Sequence, residues 1–294
     1  MNKFYIQVVF FLLSVSVYLN NKTLATEPAS EENTETKTKI ESKKTYSTPE
    51  EIFEENKHLL CTNPEEKKQA EELMNEAATQ LEYHIKNGDY KLHKRNKYYN
   101  ITLLKKEHED AIVHRISLKY YHINKYNEIT NIFWDPALAN DFNNGSAIRK
   151  IVRVYNPNLV IIQQCYKKLT IDSWKYFYAL AAKFDISEEK TIIVMTTPNI
   201  NDGHPSEKKY KNTIIESANS FKFDIDSEDD IRNGKLNKTF VNILGYLIEK
   251  KGNGVRITYL ESIDGHTSNS QKLILDKALN KFFNYEDDKL YVYP

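Results

Sequence analysis

The sequence predicts an α+β domain in which a curved antiparallel sheet grips a long C-terminal amphipathic helix, with further helices at the N-terminal end. Three observations point there. Two capped helical stretches come first, between residues 48 and 87. Mostly β-rich segments joined by short hairpin signals follow, from about residue 149 to 264. A last amphipathic stretch runs from about Ser268 to Asn284. Runs of antiparallel hairpins with flanking helices, rather than strict strand–helix alternation, define the α+β class.

Residues 1–25 read as a signal peptide. Asn2 and Lys3 precede an apolar run from Phe4 to Leu19, and Thr23-Leu24-Ala25 supplies a small-residue cleavage site. The run is shorter than the ~20 residues a bilayer span needs, and Gln7, Ser14 and Ser16 dilute it; a signal anchor is the alternative. Residues 26–47 hold only Ala29, Ile40 and Tyr46 as apolar residues, too few to offset the entropy of ordering, so they read as a disordered polar spacer. The folded domain then covers 48–294, and the mature chain is expected to be secreted and soluble.

Thr48, Pro49 and Glu51 form a capping box with proline at the first helical position. Asn63-Pro64-Glu65-Glu66 opens a second helix, whose stripe is Ala70, Leu73, Met74, Ala77, Ala78, Leu81 and Ile85, with Asn87-Gly88 as its stop. Strands are expected at 98–104 and 113–121, and a helix around 125–143 with a break at Trp134-Asp135-Pro136. Further strands are expected at 149–156 and 159–168, 174–186 and 191–198, 210–218, 239–249 and 255–264. In 176–186 the even positions are apolar and the odd ones include Lys183 and Asp185, which predicts one face in and one face out. The acidic stretch Asp224–Asn237 reads as a long solvated loop.

Lys+Arg and Asp+Glu both number 41, and that balance argues against nucleic acid as the main partner. No G-x-S-x-G elbow, H-E-x-x-H, P-loop or dinucleotide glycine motif is present, so neither an enzyme nor a cofactor is expected. His108, Glu109, Asp110 and His114 meet no zinc spacing and read as a loop and a strand. The acidic stretch lacks the glycine and final glutamate of a calcium loop. Asn21, Asn100, Asn144 and Asn237 begin weak glycosylation patterns. Cys61 and Cys165 permit one disulfide or two free thiols, and both stay open.

Several longer segments carry a resemblance. The leader MNKFYIQVVFFLLSVSVYLNNKTLATEP, HLLCTNPEE at 58–66, RKIVRVYNPNLVIIQQ at 149–164, KTIIVMTTPNIND at 190–202 and SEDDIRNGKL at 227–236 resemble the fam-a proteins of rodent malaria parasites. WKYFYALA at 174–181 is similar to a strand of START (StAR-related lipid transfer) domains. VRITYLESIDG at 255–265, with the helix after it, is similar to their final strand and lid helix. The resemblance implies a START-like helix-grip fold that encloses a phospholipid, notably phosphatidylcholine, and transfers it through transient membrane contact. It also implies delivery to the parasitophorous vacuole or export to the host erythrocyte. The usual Arg-x-Leu-x-acid/Gln export motif is absent, and Lys22-Thr23-Leu24-Ala25-Thr26 is a distant echo of it.

A phosphocholine headgroup needs aromatic faces for its ammonium and a cation for its phosphate. Candidates are Tyr155, Tyr176, Tyr178, Tyr246 and Tyr259, with Trp134 and Arg153. Leu180, Met195 and, on the closing helix, Leu275, Leu279 and Phe282 complete the expected cavity. In a chain with 20 tyrosines each of these also reads as an ordinary core or surface side chain. Arg153 depends on parity: on the inner face with Ile151 and Tyr155 it needs a buried anion, and otherwise it meets solvent. The competing reading is a secreted host-interaction protein on a START-like scaffold, without transfer activity, its interior filled by its own side chains. A monomer is expected in either case.

Overall fold

The computed structural model describes residues 47–96, 101–109, 111–136, 147–167, 174–205 and 210–264. The signal peptide, nearly all of the spacer and the closing helix with Leu275, Leu279 and Phe282 lie outside the described residues.

Helix α1 spans Pro49–Glu55. Its capping box forms: Glu51 N donates to Thr48 Oγ1 at 3.3 Å, and Thr48 N donates to Glu51 Oε2 at 2.7 Å. Helix α2 spans Pro64–Lys86, with Asn63 Oδ1 accepting from the amides of Glu65 and Glu66. Its expected apolar stripe is buried in full, and His84 joins it. Gly88, at φ 136°, turns the chain away after Asn87, which only a residue without Cβ does readily.

Strands β1 (Lys91–Asn96), β2 (Ile101–His108) and β3 (Ala111–Tyr120) follow, then helix α3 (Tyr126–Trp134). Next come β4 (Ala147–Asn156), β5 (Leu159–Tyr166), β6 (Lys175–Ser187), β7 (Lys190–Thr196) and β8 (Asn199–Asn201). The last elements are β9 (Lys222–Asp224), a short helix α4 (Asp229–Arg232), β10 (Asn237–Lys238), β11 (Val241–Lys251) and β12 (Gly254–Ile263). The main sheet is ordered β1-β2-β3-β12-β11-β7-β6-β5-β4, antiparallel throughout, with β10 parallel beside β6. β8 and β9 form a small parallel pair of their own.

Both faces of this sheet are covered. On the outer face α2 packs over Ile161, Tyr176, Tyr178, Leu180, Ile192, Val194, Leu247 and Leu260. On the inner face α1 and α3 bring Ile52, Phe133 and Trp134 against Val160, Ile162, Ala181, Met195, Leu244, Ile248 and Tyr259. Strand β6 therefore departs from the one-face expectation. Tyr176 to Ala182 are all buried, the even residues under α2 and Phe177, Ala179 and Ala181 on the inner side. A central strand covered on both faces loses its alternation because both faces are dry.

Other expectations also change. Residues 210–218 form no strand. Asn212 Oδ1 accepts from the amides of Ile214 and Ile215, and Asn219 bonds Asn212 through Oδ1 and Nδ2. These side-chain bonds replace a ladder with a turn. β1 carries no strand signal in the sequence, since KLHKRN lacks β-branched residues and Phe, Tyr or Trp. The acidic stretch contains α4, and Arg232 and Lys235 pair with Asp226, Asp229 and Asp230.

The two cysteines are free thiols. Cys61 N bonds Val154 O, and Val154 pairs with Val160, whereas Cys165 lies opposite Ile148 at the other end of the same hairpin. Five residues of strand separate the two places, roughly 16 Å at ~3.3 Å per residue, well beyond the ~6 Å a disulfide spans.

Candidate functional site: a cleft on the inner face

Under α1 and α3 the inner face forms a small cleft. Arg149 and Ile151 of β4, Val160 and Ile162 of β5, Ala181 of β6 and Met195 of β7 make its floor. Ile52 of α1, Trp134 of α3 and Pro136, just beyond α3, line the other side. The space amounts to about 10 Å³, close to what one water needs.

Two polar features stand out in this apolar setting. Arg149 is partly buried, and its Nε and Nη2 donate to Gln164 Oε1 at 3.0 and 2.7 Å. Burial pushes its guanidinium below the usual range, and the nearby Tyr246 and Tyr259 act in the opposite sense. Trp134 is 6% exposed, and its buried Nε1 has no hydrogen-bond partner among the described residues. An orphaned indole donor at a cleft is the kind of group a ligand acceptor satisfies.

Near Arg149 three aromatic rings pack in a row, tilted against one another. Phe133 and Tyr246 have centroids 4.4 Å apart, and Tyr246 and Tyr259 5.1 Å apart. Tyr259 OH donates to Glu261 Oε2 at 2.6 Å, and Glu261 is 1% exposed. Burial raises the Tyr259 hydroxyl well above its normal pKa, with the Glu261 carboxylate adding to the effect. Burial also pushes Tyr246 up to about 12. Both hydroxyls are therefore donors across the physiological range.

The sequence candidates divide between the faces. Trp134 and Met195 line the cleft, and Tyr246 and Tyr259 adjoin it. Tyr155, Tyr176, Tyr178 and Leu180 belong to the other face, in the core beneath α2. There Tyr176 OH donates to Asp202 Oδ2 at 2.9 Å, and Gln163 Nε2 donates to Tyr178 OH at 2.8 Å. Glu66 Oε1 of α2 accepts from both Tyr155 OH and Arg153 Nη1, each at 2.6 Å. Arg153 also lies over the Phe223 ring, 5.4 Å from its centroid. Its anion is thus Glu66, because a register shift between Ile151 and Arg153 turns it away from Ile151.

Arg149 and Glu261 were not singled out from the sequence. The signal existed: Arg149 shares parity with the inner-facing Ile151, and Glu261 continues Val255, Ile257 and Tyr259. No cluster of His, Cys, Asp or Glu among the described residues can hold a metal ion, and no helix among them is long and apolar enough to cross a membrane.

Solved structures similar to this chain include human STARD10, at a TM-score of 0.48 and 12% identity over 70% of this chain and 77% of that one. Human StAR-related lipid transfer protein 5 matches at a TM-score of 0.45 and 12% identity, over 74% of this chain and 93% of that one. A STAR-related lipid transfer protein fragment from Xanthomonas axonopodis matches at 0.39 and 8%, over 67% and 93%. No protein-family model matches the sequence, and no curated protein matches it.

Proposed function

We propose that this protein is a non-enzymatic carrier of an amphiphile with a phosphate-bearing head, a phospholipid, held against the inner face of its sheet. One observation carries the reading: an arginine and a buried, unsatisfied indole donor line the same apolar cleft. That combination suits a phosphate with acyl chains attached. The guanidinium and indole serve the phosphate oxygens, and the floor of Ile151, Val160, Ile162, Ala181 and Met195 serves the chains. The paired rings of Tyr246 and Tyr259 add π faces for a quaternary ammonium, which makes phosphatidylcholine the first species to test. Membership in the fam-a group, secretion through residues 1–25 and action at the parasitophorous vacuole or host erythrocyte belong to the same proposal. Their support is the leader and the sequence segments that resemble that group.

A second reading has its own observation. A cleft of about 10 Å³ is far below the ~300–1,000 Å³ of ordinary ligand pockets. A two-chain lipid with about 30 methylenes costs on the order of 25 kcal/mol to carry exposed, so a carrier must open much more room. An interior filled by its own side chains fits an interaction scaffold instead. Mass spectrometry of solvent-extracted purified protein decides between them. The carrier reading expects stoichiometric phospholipid, together with transfer of fluorescent phosphatidylcholine between vesicles. Protein that carries no lipid and transfers no faster than a protein-free control would leave the scaffold reading.

A further inference from the structure

The sheet corner farthest from the cleft floor carries a second surface. β1 is a terminal strand of the sheet, and its sequence KLHKRN contains Lys91, His93, Lys94 and Arg95 and no acid. Its one apolar residue, Leu92, is 63% exposed, more than any other large apolar side chain among the described residues. Leu92 pairs with Leu104 on the outer face, which Lys106 shares, whereas Lys91 pairs with Lys105 on the inner face, so cations flank this edge on both sides. Across the outer face lies the last turn of α2, where Tyr83 is 53% exposed. Lys106 Nζ sits 5.9 Å from the Tyr83 ring centroid and 5.8 Å from that of Tyr90, and the Arg115 guanidinium lies 4.4 Å from Tyr90. Lys91 has no carboxylate partner among the described residues. Nearby acids are few: Glu82 is tied to Lys86 and Lys190, Glu107 to Lys105, and Asp89 is exposed.

Lysine on an edge strand has a defensive use, since it discourages edge-to-edge pairing. An exposed leucine next to the exposed Lys91 works against that use. A nucleic acid would use the cations and the tyrosine rings but gains nothing from an aliphatic side chain in water. Cations, tyrosine and leucine together match a bilayer surface: charges for anionic headgroups, tyrosine at the interface, leucine in the upper acyl region. We infer that the β1–β2 corner with the end of α2 is a docking surface for membranes bearing anionic lipid. The inference holds whether or not the cleft takes a lipid, because β1 and β2 lie at the opposite edge of the sheet from the β4–β7 floor of the cleft.

The experiment is co-sedimentation of the purified protein with vesicles of phosphatidylcholine alone and of phosphatidylcholine with phosphatidylserine. Binding should require phosphatidylserine and fall with added salt. Lys91→Gln should weaken it about five-fold, the worth of one juxtamembrane cation. Leu92→Ser should weaken it as well, while Ile186→Ser, which removes a similarly exposed apolar side chain at the β6–β7 hairpin, should not. All three positions are exposed, so the variants should melt as the parent does. Equal binding to both vesicle types, or no loss in either Lys91→Gln or Leu92→Ser, overturns the inference. So does full displacement from phosphatidylserine vesicles by single-stranded RNA, which would assign the surface to nucleic acid.

Discussion

Arg149 and Arg153 sit four positions apart on one strand and end on opposite faces. A single register shift between Ile151 and Arg153 decides that outcome. Parity counting works on each side of the shift and fails across it, because a bulge adds a residue without adding a pleat. This is why the cleft was only half legible in the sequence: Trp134 and Met195 were recoverable, whereas the expected cation was placed at Arg153 rather than Arg149. Arg149→Gln should keep the fold, since the side chain is only partly buried, and should abolish retention of phospholipid while leaving neutral diacylglycerol binding within about a factor of two. Mass spectrometry of extracted lipid together with a melting curve checks both parts. Arg153→Gln should do the reverse. It removes a partner of the half-buried Glu66, lowers stability by roughly 1–3 kcal/mol and leaves bound lipid unchanged. His84 offers a residue-scale test of another kind. It is 1% exposed, and burial, with Lys106 and His108 nearby, holds its pKa down at about 4. Tyr83 packs edge-on to its ring, and Tyr90 OH bonds its carbonyl oxygen. Between pH 6.5 and 4 the unfolded chain binds a proton here that the folded chain refuses, so stability falls as pH falls through that window. The slope is at most about 1.4 kcal/mol per pH unit. Urea unfolding at pH 7 and pH 5 should show roughly 1–2 kcal/mol less stability at pH 5 from this group. In His84→Gln that part of the loss should disappear; an unchanged acid slope would remove His84 from the account.

Among the elements, those with a local signature were legible. The two helix starts carry their caps in sequence, and the helical stripe of α2 is a strict periodic pattern. Asn63→Ala removes the acceptor for two α2 amides and should cost about 1 kcal/mol. Leu81→Ala, fully buried where α2 meets the outer face, should cost about 2–5 kcal/mol. Chemical denaturation measures both, and a loss at Asn63 equal to that at Leu81 would mean that capping and packing had been misassigned. Gly245 is a sharper element-level case. A Cβ there would lie 2.3 Å from Ile193 O and 3.0 Å from Leu81 Cδ2. Helix α2 approaches the sheet closely at that point, and Gly245→Ala should destabilise more than an ordinary surface change. Segments without a local signature are where sequence and structure part. Residues 210–218 look strand-like until Asn212 and Asn219 are seen to satisfy the backbone themselves, and β1 looks like a polar loop because an edge strand needs no apolar pattern.

For the molecule as a whole, the two dry faces explain how a 294-residue chain with two unpaired cysteines is held together. Reducing agent should leave the melting temperature unchanged, and non-reducing electrophoresis should show both thiols open to alkylation after unfolding. A shift in melting temperature on reduction would contradict the separation of Cys61 and Cys165. The strand order has a further consequence, in time rather than in energy. β12 lies between β3 and β11, and Ser117 meets Thr258 across 141 residues of chain. Until residue 263 has been synthesised, β3 and β11 each present a row of unmatched amides and carbonyls to the surroundings. Pairing over so long a separation is slow. A ribosome-bound chain halted at residue 250 would own α2 and ten of the strands completely, with most of β11, and would still lack the strand that joins β3 to β11 in one sheet. The last hairpin, turning at Gly252-Asn253, therefore supplies the pairing that closes the main sheet.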